Sequence, residues 1–90
     1  MTTFEWDEEK RRRNLAKHKL DFLPACPLLE ASASVTVPSN HPLEARLVTT
    51  GIIEGKFYTV VWTWREESRR IISFRRARDG EERAYRQVHG

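Results

Sequence analysis

Cysteine occurs once, at Cys26, so no internal disulfide can form, and no Cys/His spacing of a zinc site accompanies it. Neither a covalent staple, a metal nor a cofactor is therefore expected. Long apolar runs are missing too. None approaches the roughly 20 residues that span a bilayer, and the start MTTFEWDEEKRRR carries charge where a signal peptide needs an apolar stretch. The expectation is a soluble, cytoplasmic chain that does not engage a membrane. Internal repeats and low-complexity segments are absent as well. With 90 residues there is no room for separate binding and catalytic modules, so a single domain over 1–90 is expected.

What is present is enough apolar material for a small core, with three Trp and four Phe in a chain that is 39% hydrophobic, too apolar to be disordered. The formal net charge of +3 is modest, so its distribution matters more than its total. One basic group, Lys10 to Arg13 with Lys17 and Lys19, is balanced upstream by Glu5, Asp7, Glu8 and Glu9. The run Lys10 to Arg13 reads as a solvated helix face. The other group is Arg69, Arg70, Arg75, Arg76, Arg78, Arg83 and Arg86, faced only by Asp79, Glu81 and Glu82. It is built of arginine, whose planar fork of donors matches phosphate, and this points to RNA.

Local patterning predicts the elements. Thr3 to Trp6 alternates weakly, as a short edge strand does, and Asp7 is a natural N-cap with Glu8 and Glu9 in the first turn of a helix to about His18. That helix carries Arg11, Asn14, Leu15 and His18 on one face and buries little. A second helix spans Phe22 to about Glu30, kept short or distorted by Pro24 and Pro27. Ala31 to Pro42 reads as a loop with a brief strand at Val35 to Val37. From Leu43 the pattern turns to β: a run from Glu44 to Ile53, a tight turn at Glu54-Gly55, and a run from Phe57 to Trp64 apolar on both faces. A third run covers Arg69 to Arg76. A strict two-residue period sends Arg70, Ile72, Phe74 and Arg76 to one face and Arg69, Ile71, Ser73 and Arg75 to the other, with Ile72 and Phe74 as core. Ala77 to Val88 closes the chain as a helix. The fold class is α+β: N-terminal helices packed on an antiparallel meander, then a closing helix.

In that order and spacing the chain resembles the BrnT family of type II toxin-antitoxin ribonucleases. The fragments that carry the resemblance are Phe4-Glu5-Trp6-Asp7, Lys10, Asn14, Lys17-His18, Phe22 and Ala25. They continue with Trp62-Thr63 and Arg65, Arg70-Ile71-Ile72-Ser73 with Arg75-Arg76-Ala77, and Glu81 with Tyr85. The chain departs from the family at Lys19, where glycine is usual, so the turn after the first helix lacks its customary φ > 0 residue. Phe74 replaces a common alanine, and Leu43-Glu44 stands for a Gly-Glu pair, with Arg46 kept in register.

The resemblance implies a RelE-like fold and metal-independent cleavage of RNA, in which a ribose 2′-hydroxyl attacks its neighbouring phosphorus. Such a reaction takes a base, an acid and fixed positive charge. Arg75 is the first candidate for that charge, with Arg70 and Arg65 on neighbouring phosphates; its other role would be a salt bridge to an acidic residue such as Glu81. Tyr85 and His18 are acid or base candidates, each with a bland alternative: a packing ring for Tyr85, and a complement to the helix dipole for His18. Glu44 or Glu81 would orient an arginine or act as base. Arg69, Arg76, Lys17, Lys19 and Arg46 are the expected RNA contacts. Ser73 reads as a small residue in a tight strand contact, and Trp62 and Trp64 as core or partner surface. The implied partner is a BrnA-like ribbon-helix-helix antitoxin, through which alone operator DNA would be bound. A non-catalytic RNA-binding or antitoxin-binding module is the alternative.

Overall fold

The computed structural model describes residues 3–39 and 44–90. The end of the expected loop, including Pro42, and Leu43 lie outside the described residues. The element order is β1 (Thr3–Trp6), α1 (Glu8–His18), α2 (Ala25–Glu30), β2 (Val35–Ser39), β3 (Arg46–Ile53), β4 (Lys56–Arg65), β5 (Ser68–Arg76) and α3 (Asp79–His89). The α+β reading holds and both short strands expected before the meander form; what differs is that both join its sheet. β1 comes before every helix and joins the sheet parallel to β5, giving one five-stranded sheet in the order β1-β5-β4-β3-β2, antiparallel at every other pairing.

Local chemistry explains the element ends. The Asp7 side chain accepts from the Lys10 backbone N–H at 3.1 Å, capping α1. Lys19 ends α1 with φ 61°, so this position takes the left-handed conformation although it is not glycine. Its Nζ donates to the Ala16 carbonyl at 3.2 Å, which offsets part of the strain. In α2 both prolines are tolerated, because Pro24 is the N-cap and Pro27 falls in the first turn, where no intrahelical N–H bond is lost. The cost is length, and α2 runs only from Ala25 to Glu30.

Strand register divides the sheet into two unlike faces. On the aromatic face lie Phe4 and Trp6 of β1, Ile71 and Phe74 of β5, Tyr58, Val60 and Trp62 of β4, and Leu47 of β3. Phe22, Ala25, Leu28 and Leu29 cover them and complete the core. Gly51 makes the close approach possible, since a Cβ there would sit 3.1 Å from Leu28 Cγ. The opposite, polar face carries Glu5, Arg70, Ser73, Arg75, Thr59, Thr63, Val48 and Thr50; α3 packs over its β2-β3 part and reaches Phe57 and Thr59 of β4 and Arg75 of β5.

Between Val61 and Trp62 the register of β4 against β5 shifts: Val61 pairs with Ser73 and Trp62 with Ile71, leaving Ile72 as an extra residue. This β-bulge corrects the strict alternation expected along β5. Ile71 and Phe74, three apart, are both fully buried in the core, while Ile72 is displaced from it.

Candidate active site

The bulge decides which arginines act together. Beyond it, Arg75 pairs with Thr59 on the polar face; before it, Arg70 pairs with Thr63 and reaches Glu5 on the same face. Arg69 and Arg76 go to the aromatic face instead. The predicted grouping, Arg70 with Arg76 and Arg69 with Arg75, is therefore replaced by Arg70 with Arg75 and Arg69 with Arg76. The physical reason is the one inserted residue, which inverts every side chain upstream of it relative to those downstream.

Arg75 is held by Glu81, six residues on, in a two-pronged ion pair: Nη1 to Oε1 and Nη2 to Oε2, both 2.8 Å. Nη1 also donates to the Arg76 carbonyl at 3.2 Å. Glu81 further accepts from the Arg78 backbone N–H at 2.8 Å and from the Thr59 hydroxyl at 3.1 Å. Because Thr59 donates there, it receives the buried Thr50 hydroxyl, 2.9 Å away. A chain of donors thus runs Thr50 to Thr59 to Glu81, fixing α3 and Arg75 to the sheet. Burial alone would raise the Glu81 carboxyl; hydrogen bonds from Arg75, Arg78 and Thr59 and the Arg75 charge override it and lower the pKa to about 2. Glu81 is a saturated carboxylate that orients an arginine, and is poorly suited to act as a base.

That depression has a consequence for stability. A carboxyl with a folded-state pKa below its unfolded value contributes stability in full above the unfolded value and loses it as pH falls through the folded one. For Glu81 the window runs from about 4.5 down to about 2. Urea unfolding is expected to show a fall in stability from pH 7 to pH 3, and Glu81→Gln is expected to flatten that fall. An unchanged pH dependence in the variant would remove Glu81 from the account.

His18 ends α1 close enough to feel Arg75. Burial, then the charges of Lys17 and Arg75, lower its pKa below the ordinary imidazole value of 6.5, so the neutral ring dominates at pH 7. It lines a cleft of about 240 Å³ between α1 and β5 with Lys10, Arg13, Asn14, Lys17, Ile72 and Ser73. The position of α1 is set by Asn14, which is 6% exposed. β1 pairs with β5 only as far as Ile71. Past that point the Asn14 amide takes the place of a neighbouring strand: Nδ2 donates to the Phe74 carbonyl at 2.8 Å and Oδ1 accepts the Phe74 N–H at 3.0 Å. Nδ2 also donates to the Leu20 carbonyl at 3.0 Å.

The remaining predicted residues divide by location. Arg70 Nη1 pairs with Glu5 at 2.7 Å, and Arg46 Nε with Glu44 at 2.8 Å, so Glu44 orients an arginine. Arg65 is exposed at the end of β4, opposite Ser68. Lys19 is occupied with its own helix end. Tyr85 is buried and packs edge-on against Phe57, ring centroids 5.3 Å apart, which is the packing role. Arg69 lies on the aromatic face, its guanidinium 5.2 to 6.0 Å from the rings of Phe4, Trp62 and Trp64, with Nη1 donating to the Leu29 carbonyl at 2.7 Å. Arg76 sits over Tyr58 on that face as well, 5.3 Å from the ring. Sequence reading missed the clamping role of Asn14 and the Thr50-Thr59 relay. A signal for the relay existed: the two threonines fall opposite each other once the Glu54-Gly55 turn fixes the hairpin register.

Comparison with known proteins gives one informative match. The family model described as a ribonuclease toxin, BrnT, of type II toxin-antitoxin system matches residues 6–81. That span contains Asn14, His18, Arg70, Arg75 and Glu81. No curated protein matches the chain. Among the described residues no helix is long and apolar enough to cross a membrane.

Proposed function

The chain belongs to the BrnT family of ribonuclease toxins of type II toxin-antitoxin systems, and from that premise we propose that residues 1–90 are one RelE-like domain that cleaves RNA endonucleolytically without a metal. By arresting translation, it slows growth in the cytoplasm until a BrnA-like ribbon-helix-helix antitoxin covers it; operator DNA is met only through that antitoxin. The observation that carries the catalytic reading is a guanidinium fixed by a two-pronged ion pair on the polar sheet face, with the His18 imidazole in the adjoining cleft beside Ser73.

In this reading the scissile phosphate lies between His18 and Arg75. Neutral His18 accepts the proton of the attacking 2′-hydroxyl at an imidazole nitrogen, and the new P–O bond forms as the bond to the 5′-oxygen breaks; the leaving oxygen takes a proton from solvent water, and the imidazolium returns its own to solvent. Three of the five Arg75 N–H donors are used within the protein, so two are left for the phosphorane oxygens as charge builds on them. Arg70, Arg65 and Arg46 hold the flanking backbone further along the face. Tyr85, its ring packed against Phe57, supports α3 in this reading.

The test is purified, antitoxin-free protein incubated with RNA in EDTA. Fragments ending in 2′,3′-cyclic phosphate are expected, with an acid limb of kcat/KM below pH 6.5 that disappears in His18→Ala. RNA retained but recovered intact would identify a binding module instead and overturn the catalytic reading.

A further inference from the structure

The polar face holds more positive charge than its ion pairs consume. Arg75, Arg70 and Arg46 each have a carboxylate partner at 2.8 Å or less. Lys10 and Lys17 have none among the described residues, and both line the cleft between α1 and β5. Arg13, on the same wall, is tied only to Glu9, in an exposed pair at 3.5 Å that contributes little and is readily exchanged for a better anion. Residues 10, 13 and 17 recur at helical spacing, so one face of α1 presents three cations to the same cleft.

The opposite wall is of a different kind. Ile72 is the residue that the bulge removes from the ladder and from the core, and it lines this cleft beside Ser73. An isoleucine held half-exposed among cations has no role in packing the core, whose members on β5 are Ile71 and Phe74. Bulges commonly re-aim a side chain beside an active site. An apolar patch facing a cationic wall suits a ligand with a flat apolar surface at one end and an anion at the other. The cleft, about 240 Å³, falls below the range of roughly 300 to 1,000 Å³ typical of sites for larger ligands. That is enough for one base and one phosphate, and not for a longer stretch of strand.

We infer that this cleft is a subsite for a single nucleotide of an RNA strand, its base lying on Ile72 and its phosphate held by Lys10 and Lys17, with Arg13 at the rim. The inference rests on the ribonuclease reading for its choice of ligand, because His18 lines the same cleft and in that reading puts this nucleotide next to the scissile phosphate. It changes the role of Lys10 and Arg13 from part of a solvated helix face to the wall of a binding site, while Arg11 and Arg12 stay with Glu8 and Asp21.

The experiment titrates the full chain with nucleoside 3′-monophosphates and, separately, with inorganic phosphate, following backbone amide shifts. Cleavage kinetics of RNA are measured alongside for wild type, Lys10→Ala/Lys17→Ala and Ile72→Thr. Mononucleotides are expected to shift the amides of α1 and of Ile72 and Ser73 and to bind more tightly than phosphate alone. The double lysine variant is expected to lose that binding and to raise KM for RNA about tenfold, the loss falling on KM rather than kcat. Its affinity for RNA should also depend less steeply on salt, by about 0.7 in the logarithmic slope for each lost phosphate contact. Ile72→Thr is expected to weaken mononucleotide binding while leaving phosphate binding in place. The inference is overturned if mononucleotides leave these amides unmoved, if phosphate binds as well as they do, or if KM is unchanged in the double variant. Mononucleotide binding here by a protein that cuts no RNA would overturn the ribonuclease reading and leave the subsite standing.

Discussion

Arg75→Ala is expected to slow RNA cleavage by about 100- to 1,000-fold, the size of loss seen when one preorganised donor to a developing oxyanion is removed, and to relieve growth arrest on induction. The expectation comes from how the guanidinium is held. Its two-pronged pairing with Glu81 and its bond to the Arg76 carbonyl leave it no freedom to reorient, so its remaining donors meet the transition state at no further entropic cost. Arg75→Lys keeps the charge but loses the fork, and should recover little of the rate.

The same ion pair also ties α3 to the sheet, which creates a competing explanation. Arg75→Ala strands the Glu81 carboxylate, 21% exposed on its side chain, opposite no cation. Arg75→Ala/Glu81→Gln removes that stranded charge and should restore much of the lost stability, leaving cleavage as slow as in Arg75→Ala alone. Glu81→Gln alone keeps the arginine and loses only its tight orientation, so a loss of about tenfold is expected. Folded Arg75→Ala protein that cuts RNA within threefold of the wild-type rate would reduce Arg75 to a strut for α3. In that case the charge at the scissile phosphate would have to come from elsewhere.

The contrast between Arg75 and Arg69 shows where reading the sequence succeeds and where it stops. Both lie in one arginine-rich strand, which composition marked as a place for phosphate-binding chemistry. Alternation found the strand, its hairpin partner and the turn at Glu54-Gly55, because each is set by residues adjacent in sequence. Which arginines share a face depends on one inserted residue opposite β4, and the stretch Arg-Arg-Ile-Ile-Ser-Phe fits either register. Doubled arginines and doubled isoleucines give alternation nothing to choose between. The choice is made by burial: Ile71 beside Phe74 fills the core under Phe22, and the bulge at Ile72 is what allows both to reach it. Arg69 is then committed to Phe4, Trp62 and Trp64 on the aromatic face. The parallel pairing of β1 with β5 was illegible for a related reason, being a contact across more than sixty residues with no local signature. Lys19 is a third instance. A left-handed helix end normally announces itself by glycine, and here the bond from its backbone N–H to the Leu15 carbonyl keeps the conformation without one.

Asn14→Ala is expected to lower the thermal midpoint by about 12 to 24 °C, more than any single change among the surface ion pairs. The amide makes three hydrogen bonds, two of them to the N–H and the carbonyl of Phe74 where β5 has lost its β1 neighbour. Alanine leaves both backbone groups without a partner next to a side chain that is 1% exposed. A buried group left unsatisfied costs about 1 to 3 kcal/mol. Water entering from the adjoining cleft would recover part of this, so a net loss of about 3 kcal/mol is expected. In a domain of this size each kcal/mol moves the midpoint by roughly 4 to 8 °C. Asn14→Asp should do no better: its carboxylate still accepts the Phe74 N–H but faces the Phe74 and Leu20 carbonyls with no proton to offer. Hydrogen exchange separates the clamp from a general loss of stability. With the clamp broken, the Phe74 amide should exchange much faster than those of Val60 and Ile71, which are held by intact strand pairs. If all three accelerate together, Asn14 acts only through global stability. If the midpoint moves by less than about 3 °C, the edge of β5 is held by something else. Because His18 lies one turn beyond Asn14 on α1, release of this edge should also slow cleavage at temperatures where the variant is still folded, through lost alignment of His18 with Arg75.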